Sequence, residues 1–192
     1  AVDQGGTSHM VVMDKYGNVV STTNTNGINF GSAVAVPGTG FIFSAHLSNL
    51  NNSPSSSVNM LMPYIKVCST TCPTIVAYEN GKPVVAVGSP GNWALVTAAY
   101  AAIVNYIDFG MDIAQATNAP RTWRDGMTLN DLYVEGGYSD ETIEAVKAMG
   151  YNVLDSELEY SSHVGCIAAI EVKDGLFYAI GDDRRHYGAA AY

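Results

Sequence analysis

The residues best suited to chemistry lie near the start of the chain, where Gly5 and Gly6 precede Thr7. A threonine hydroxyl is a weak nucleophile and needs an adjacent base. If the Gly6–Thr7 peptide bond is cut, the freed α-amine of Thr7 can be that base, because its pKa of about 8 lies close to working pH. Two glycines would let the backbone before the bond take strained conformations. The stretch therefore indicates an N-terminal threonine nucleophile, with a flexible lead-in to a strand as the alternative.

A second stretch with chemical potential is the turn Gly88-Ser89-Pro90-Gly91-Asn92, which follows a predicted strand. A helix is predicted from about Trp93 to Asp108, with Asn92 as its N-cap. Free backbone N–H groups at such a turn can form an oxyanion hole or bind a phosphate. A Walker-type phosphate loop needs a Lys and a Ser or Thr after the glycine, and both are missing. The oxyanion hole is preferred, with a structural turn as the alternative.

The elements around these stretches are strands early and late in the chain, with helices between them. A hairpin of residues 10–13 and 19–25 would place Thr25 beside Thr7, where it could hydrogen-bond the Thr7 amine. A second hairpin turns at Asn80-Gly81, and a last one spans residues 164–180. Helices are predicted at residues 93–108, 111–118 and 139–149. This order predicts an α+β fold with antiparallel sheets and segregated helices.

Composition limits the classes of function. The chain of 192 residues is long enough for one domain with a sizeable core. Hydrophobic residues make up 47% and charged residues only 14%, so part of the surface is expected to pack against a second polypeptide. The net charge of −9, without any cluster of Lys or Arg, argues against nucleic-acid binding. No apolar run approaches the ~20 residues of a membrane span, and no signal peptide is seen.

The chain has three cysteines, Cys68, Cys72 and Cys166, and this odd number argues against a pure disulfide framework. The spacing of Cys68 and Cys72 could suit a bridge or a metal, but no histidine or second cysteine pair completes a site. We interpret all three as small buried residues.

Several motifs in one order resemble the small, C-terminal subunit of the gamma-glutamyltransferases, which are N-terminal-nucleophile (Ntn) hydrolases. The similarity runs from Thr7 to Tyr192. It rests on Thr7-Ser8-His9 before a Val-rich strand, Asp14-Lys15-Tyr16-Gly17-Asn18, Phe30-Gly31-Ser32, Pro37-Gly38-Thr39-Gly40, Ser69-Thr70-Thr71-Cys72-Pro73-Thr74, Gly88-Ser89-Pro90-Gly91, Ala116-Thr117-Asn118-Ala119-Pro120-Arg121 and Asp182-x-Arg184.

The resemblance implies an αββα four-layer sandwich that a large N-terminal subunit from the same precursor completes. Autocatalytic cleavage before Thr7 would separate residues 1–6 from a small subunit of residues 7–192. The Thr7 hydroxyl would then attack a small-molecule amide, and water, more than an amine acceptor, would release the acyl group. No cofactor or metal is implied. Two such heterodimers could pair. Family members are often periplasmic or extracellular, and a cytoplasmic location stays open.

The resemblance also assigns roles to individual residues. Thr25 corresponds to the threonine that contacts the nucleophile's amine. The N–H groups of Gly91 and Asn92 correspond to the oxyanion hole. Ser69 and Thr70 correspond to the pair that binds the substrate α-carboxylate, whose arginine lies on the large subunit.

Four positions depart from the family pattern. The acidic residue that binds the substrate α-amine corresponds to Asn49, the glutamine or acidic position before it to His46, an asparagine after Thr25 to Gly27, and the second oxyanion glycine to Asn92. Exchanging the carboxylate for an amide removes a charge-assisted bond to an ammonium, which is worth roughly 1.5–3 kcal/mol. We therefore expect an acyl group that lacks a free α-amine, or a different amide altogether.

Two alternative functions and the roles of several single residues stay open at this stage. One alternative is a phosphate- or nucleotide-binding module that uses the turn Gly88–Asn92, which the missing Lys disfavours. The chain could be an unprocessed, inactive member that serves as a scaffold or partner subunit. His9 could orient the scissile bond or only pack beside the strand, and His46 is interpreted as a specificity residue. His163 and His186 are interpreted as structural, and Trp93 and Trp123 as core or subunit-contact residues.

Overall fold

The strands of the chain form three separate sheets, and the helices connect them. A computed structural model describes residues 5–52, 59–91, 94–124, 129–155, 164–185 and 187–191. Within these residues the strand orders are β1-β2, β3-β4-β8-β9 and β5-β6-β7. The strands are β1 Gly5–Met13, β2 Val19–Ile28, β3 Thr74–Ala77, β4 Pro83–Gly88, β5 Thr122–Trp123, β6 Asp131–Val134, β7 Asn152–Asp155, β8 Ala168–Lys173 and β9 Leu176–Gly181; the helices are α1 Ala94–Ile107, α2 Ile113–Asn118 and α3 Asp140–Ala148.

The predicted first hairpin is confirmed and is longer than expected. The carboxylate of Asp14 holds the turn because it accepts hydrogen bonds from Tyr16 N at 2.9 Å, from Asn18 N at 3.0 Å and from Asn18 Nδ2 at 2.7 Å. Gly17 takes the left-handed conformation that this turn requires, with φ +87°. The strands pair antiparallel with Thr7 opposite Thr25 and His9 opposite Thr23.

The hairpin packs with one face against the four-stranded sheet. Period-2 alternation along β1 turns Thr7 and His9 inward, while Ser8 and Met10 are exposed on the outer face. The Ser21 hydroxyl donates to the carbonyl of Val87 in β4 at 3.3 Å. The hairpin is therefore fixed to the sheet by side chains of the same face that carries Thr7.

The core lies between this sheet and α1. Alanines at positions 98 and 102 allow α1 to approach β4 and β8 closely, and the buried cluster contains Val85, Val87, Ala98, Ala102, Ile113, Ile167 and Ala169. Helix α2 begins with a capping box, in which Asp112 accepts from Gln115 N at 2.8 Å and Gln115 Oε1 accepts from Asp112 N at 3.1 Å.

One strand pair departs from the predicted antiparallel arrangement. Strands β6 and β7 pair in parallel, Leu132 opposite Val153. The physical reason is the connection: α3, capped by Ser139, carries the chain back between them, and parallel strands need such a crossover. The other predicted pairs, including the last hairpin, are antiparallel as expected.

A buried ion network joins the segments that follow α2, β6 and β9. Arg184 forms a bidentate pair with Glu135, Nη2–Oε2 2.6 Å and Nε–Oε1 2.7 Å. Arg121 pairs with Asp182 at 2.7 Å, and Arg184 reaches the same carboxylate at 3.2 Å. All four side chains are buried. The charged residues near the C-terminus thus hold this chain together internally.

Large apolar side chains remain exposed on the outer face of the hairpin, including Met10, Val12, Val20 and Ile28. Exposed large apolar side chains on one face are typical of a surface that packs against another polypeptide. No helix within the described residues has the length and hydropathy to cross a membrane.

The cysteines are free thiols that differ in burial. Cys166 is buried, and burial raises the pKa of its thiol to about 12. Cys72 is half-buried, but Cys68 is exposed, so the interpretation of all three as buried residues is wrong for Cys68. Cys68 lies between the turn His46–Asn49 and β3, outside the helices and strands.

Candidate active site

The structure places the two predicted threonines in direct contact. The Thr7 hydroxyl donates to Thr25 Oγ1 at 2.8 Å, and Thr25 Oγ1 also accepts from Gly27 N at 2.9 Å. In the continuous chain Thr7 N belongs to a peptide bond, and the hydrogen bond with Thr25 joins the two hydroxyls. Both lone pairs of Thr25 are used in this way, which leaves its own proton free to be donated.

The pairing pattern explains why these hydroxyls meet. The amide of His9 points away from β2, because it donates to Tyr187 Oη at 3.1 Å. His9 and Thr23 are therefore a non-hydrogen-bonded pair, and so is the pair two residues earlier, Thr7 and Thr25. Side chains approach most closely in such pairs. It also follows that Thr7 N points outward and contributes no ladder hydrogen bond to β2.

Gly6 sits at an irregularity in the strand, between the register positions of Gly5 and Thr7. Gly6 has no positive φ. The requirement for glycine is one of space instead. A Cβ built at Gly6 would lie 2.8 Å from both the carbonyl carbon and the oxygen of Ile28, in backbone that cannot rotate away.

We expect Gly6→Ala to slow cleavage of the Gly6–Thr7 bond roughly ten- to hundredfold, because overpacking against backbone costs about 1–3 kcal/mol. The measurement is a time course of chain cutting in the purified full-length precursor. Gly188→Ala is the matched control, because a Cβ there would meet no atom within 4 Å. A Gly6→Ala precursor that matures as fast as wild type would contradict the steric explanation.

His9 is a buried, neutral histidine next to the candidate nucleophile. It is only 4% exposed. Its Nδ1 hydrogen-bonds Thr23 Oγ1 at 2.8 Å, and its Nε2 lies 3.3 Å from Ser21 Oγ. The ring rests on Gly88, where a Cβ would lie 2.2 Å from His9 Cε1. Burial lowers the pKa of His9 to about 4. The contact with Gly88 brings the Thr7 strand to the glycine turn. It also shows that the His9 side chain packs between the first hairpin and this turn.

Because His9 is neutral when folded and titrates near its ordinary pKa of 6.5 when unfolded, the unfolded chain binds the extra proton between pH 6.5 and about 4. We expect stability to fall over this interval on acidification, by up to about 3 kcal/mol. Chemical denaturation of wild type and His9→Asn across pH 4–7 measures it. Equal pH slopes for the two proteins would contradict the prediction.

The glycine turn after β4 is buried, and hydrogen bonds and close backbone contacts fix its conformation. The Ser89 hydroxyl accepts from Cys166 N at 2.9 Å and donates to the Pro90 carbonyl. Gly91 has φ +139°, and a Cβ there would lie 2.6 Å from Gly165 Cα. Only glycine fits this position. Asn92, the other predicted oxyanion residue, lies outside the described residues, as do Trp93, His163 and His186.

The predicted substrate residues fall into two groups. Gly27 and His46 lie together beside Thr25, because Ala45 N donates to Asn26 O at 2.8 Å and a Cβ at Gly27 would lie 3.6 Å from His46 N. Asn49 ends the same 3-10 turn and is exposed.

Ser69 and Thr70 form the second group and lie in the segment before β3. The Ser69 hydroxyl is within 3.1 Å of Thr71 Oγ1 and is exposed. No hydrogen bond among the described residues links Ser69 or Thr70 to Thr7 or Thr25.

Sequence reasoning missed three polar partners in this region. Ser44 Oγ lies 2.6 Å from His46 Nδ1, Thr23 bonds His9, and Tyr187 bonds the backbone of β1. Thr23 could have been predicted, because the alternation of side chains along β2 puts it on the same face as Thr25. No sequence pattern predicts the contact between Tyr187 and the His9 amide, because the two residues are 178 positions apart.

Among the described residues, no group of three or more His, Cys, Asp or Glu side chains is arranged to hold a metal ion.

Comparison with known proteins shows which proteins this chain is similar to. A family model described as Gamma-glutamyltranspeptidase matches residues 1–192. The Glutathione hydrolase proenzyme of Bacillus subtilis (strain 168) is 30% identical over 189 residues, covering 97% of this chain and 31% of the relative. The Acylase ACY 1 proenzyme of Pseudomonas sp. (strain SE83) is 34% identical over 155 residues, covering 80% of this chain and 27% of the relative.

A solved structure, the Gamma-glutamyltranspeptidase from Pseudomonas nitroreducens complexed with L-DON, aligns with a TM-score of 0.80 and 26% identity. The alignment covers 96% of this chain and 99% of that one. The chain thus spans about a third of the curated relatives it matches, but nearly all of this solved chain. The α+β architecture is that of the Ntn hydrolases. On these grounds the chain belongs to the gamma-glutamyltranspeptidase family.

Proposed function

We propose that this chain is the nucleophile-bearing part of an autoprocessing amidase, in which Thr7 first cuts the chain before itself and then cleaves amide substrates. The observation that carries the proposal is the 2.8 Å hydrogen bond between the Thr7 and Thr25 hydroxyls. It positions the Thr7 oxygen on an inward strand face, half-buried and next to a second hydroxyl that can exchange protons with it.

Self-cleavage would begin with attack of Thr7 Oγ1 on the carbonyl carbon of Gly6. The Gly6–Thr7 C–N bond breaks, the nitrogen takes a proton, and Gly6 becomes an ester of the Thr7 hydroxyl. Breaking the C–N bond has then already freed the Thr7 α-amine, and water hydrolyses the ester, which frees the Gly6 carboxylate and the Thr7 hydroxyl. Because Thr7 N points outward from β2, its release disrupts no ladder hydrogen bond.

In turnover the free α-amine would take the proton from the Thr7 hydroxyl as that oxygen attacks the substrate carbonyl. The amine leaving group departs with a proton, and water releases the acyl group. The N–H groups of Gly91 and Asn92 are proposed to bind the oxyanion. The contact of His9 with Gly88 supports this assignment for Gly91, because it holds the Thr7 strand against the turn.

The proposal includes a second polypeptide. The chain matches 99% of one solved chain but only 31% of a proenzyme, as expected if residues 7–192 form a small subunit and residues 1–6 end the segment before it. The exposed apolar outer face of the hairpin supports burial against that partner. Hydrolysis is favoured over transfer, and Ser69 and Thr70 are proposed to bind the acyl group.

The test is mass spectrometry of the purified full-length protein, incubated with a panel of amides and quenched during turnover. We expect two polypeptides, the second beginning at Thr7, and an acyl adduct on the peptide that contains Thr7. A single uncut chain without amidase activity would support an inactive scaffold instead. An active enzyme whose chain remains intact at Gly6–Thr7 would overturn the mechanism.

A further inference from the structure

The buried turn after β4 contains a backbone donor that the described part of the chain does not use. Gly91 is buried, and its carbonyl accepts from Ala94 N at 3.1 Å. No hydrogen bond among the described residues involves the Gly91 N–H. Because buried amides are rarely left unpaired, this N–H marks a place for an external acceptor such as a substrate oxygen. The direction in which the N–H points is therefore critical for the candidate site.

The Pro90 carbonyl sets the direction of the Gly91 N–H. Both groups belong to one planar trans peptide, in which the C=O and the N–H point in opposite directions. The Pro90 carbonyl accepts from the Ser89 hydroxyl, and it also accepts from Cys166 N at 3.3 Å. These two donors fix the carbonyl on the side of the residues that lead into β8. The N–H of the same peptide must then point away from that segment.

The Ser89 hydroxyl is itself held in place. It accepts from Cys166 N at 2.9 Å, and Ser89 is only 1% exposed, so bulk water cannot take over its hydrogen bonds. The residue after Cys166 is anchored as well, because Ile167 N donates to the buried carboxylate of Asp182 at 2.9 Å. The bond from Ser89 to the Pro90 carbonyl thus belongs to the ordered interior of the chain.

The glycine at position 91 makes this restraint necessary. Its φ of +139° suits glycine, and glycine also populates the negative φ that a flipped peptide would have. A Cβ at this position would lie 2.6 Å from Gly165 Cα, so a residue with a less mobile backbone does not fit here. The Pro90–Gly91 peptide could therefore rotate and turn its N–H away from the site, unless its carbonyl is held.

We propose that Ser89 is a positioning residue, whose hydroxyl holds the Pro90–Gly91 peptide so that the Gly91 N–H faces the oxygen of the substrate carbonyl attacked by Thr7. This inference rests on the proposed function, because it concerns the oxyanion assigned to the same turn. The buried hydroxyl acts only through the backbone and takes no part in proton transfer. Its loss weakens the stabilisation of the transition state and leaves substrate binding in the ground state intact.

Steady-state kinetics of the processed full-length enzyme test the role of Ser89. Wild type and Ser89→Ala are compared with an anilide that the wild type cleaves, γ-glutamyl-p-nitroanilide or glutaryl-p-nitroanilide, and rates are expressed per cut chain, counted by mass spectrometry. We expect kcat to fall roughly ten- to hundredfold, less than the loss of about 10²–10³-fold on removing an oxyanion donor outright. KM should change by less than about threefold, because the donor acts on the transition state.

Two further variants separate positioning from a general effect on folding. Ser139→Ala is the matched control, because it makes the same change at the exposed N-cap of α3, where the hydroxyl accepts from Thr142 N at 3.2 Å. It should leave kcat and KM unchanged. Ser89→Cys keeps a weak donor and a weak acceptor at the site. Its kcat should lie between those of wild type and Ser89→Ala, and it replaces Ser89→Ala in the comparison should the alanine variant not mature.

The possible results are decisive for different claims. A wild-type kcat in the Ser89 variant, a rise of KM without a fall of kcat, or an equal loss of kcat in Ser139→Ala would overturn the role of Ser89. Failure of both Ser89 variants to cut the chain, with Ser139→Ala cut normally, would assign Ser89 to folding and overturn it too. Wild-type protein that cleaves neither anilide and forms no acyl adduct would contradict the proposed function instead.

Discussion

Replacing Thr7 with alanine should leave the full-length protein as one uncut chain and lower its amidase rate by about 10⁴-fold or more. The magnitude follows from the loss of a catalytic nucleophile, for which no neighbouring group substitutes. In this site Thr25 is the only hydroxyl that the described structure joins to Thr7, and its oxygen is already occupied by the Gly27 amide. Intact-mass analysis and a rate assay on the same preparation measure both effects.

Two variants make the Thr7 experiment interpretable. Thr7→Ser keeps the hydroxyl and should still cut and turn over, at a reduced rate. Ser8→Ala changes the next residue, which is exposed on the other face of β1, and should behave as wild type. If Thr7→Ala is cut at the same bond, or keeps more than a small fraction of the activity, Thr7 is not the nucleophile.

The second large effect concerns stability. We expect Glu135→Gln to lower the free energy of unfolding by about 3–5 kcal/mol, because it leaves the buried Arg184 without its bidentate partner. The same carboxylate accepts from Arg121 N at 2.9 Å, so backbone support is weakened as well. Chemical denaturation of the processed full-length enzyme gives the difference.

The matched control is Glu141→Gln, an identical change at an exposed position in α3. It should alter stability by less than about 0.5 kcal/mol. Because Glu135→Gln could prevent folding, the double variant Glu135→Gln/Arg184→Gln should be examined too. It removes both charges and should recover part of the loss. A Glu135→Gln protein as stable as the Glu141→Gln control would contradict the role given to the network.

The features that could be predicted from the sequence are those that depend on neighbouring residues or on a pattern repeated along the chain. Alternation along β1 and β2, with turn residues between them, predicted a hairpin that places Thr25 beside Thr7, and that pairing is confirmed. The helix predicted at residues 93–108 from the turn before it is observed as Ala94–Ile107. Such signals are carried by neighbours in sequence, so a single sequence contains them.

What it missed depends on contacts between distant residues. The partnership of Glu135 with Arg184 spans 49 positions, and each residue alone looks like an ordinary surface charge. The parallel pairing of β6 and β7 depends on how α3 crosses over, which strand patterns do not encode. Gly6 could be picked out from the sequence, but the reason for a glycine there could not be. That reason is the close approach of the Ile28 backbone, which is distant in the sequence.

The bond from the His9 amide to Tyr187 has a practical consequence for anyone who engineers this protein. It covers the side of β1 that faces away from β2 with a side chain from the segment after β9, so this segment restrains the strand that carries Thr7. Insertions in the segment after β9 would disturb that contact.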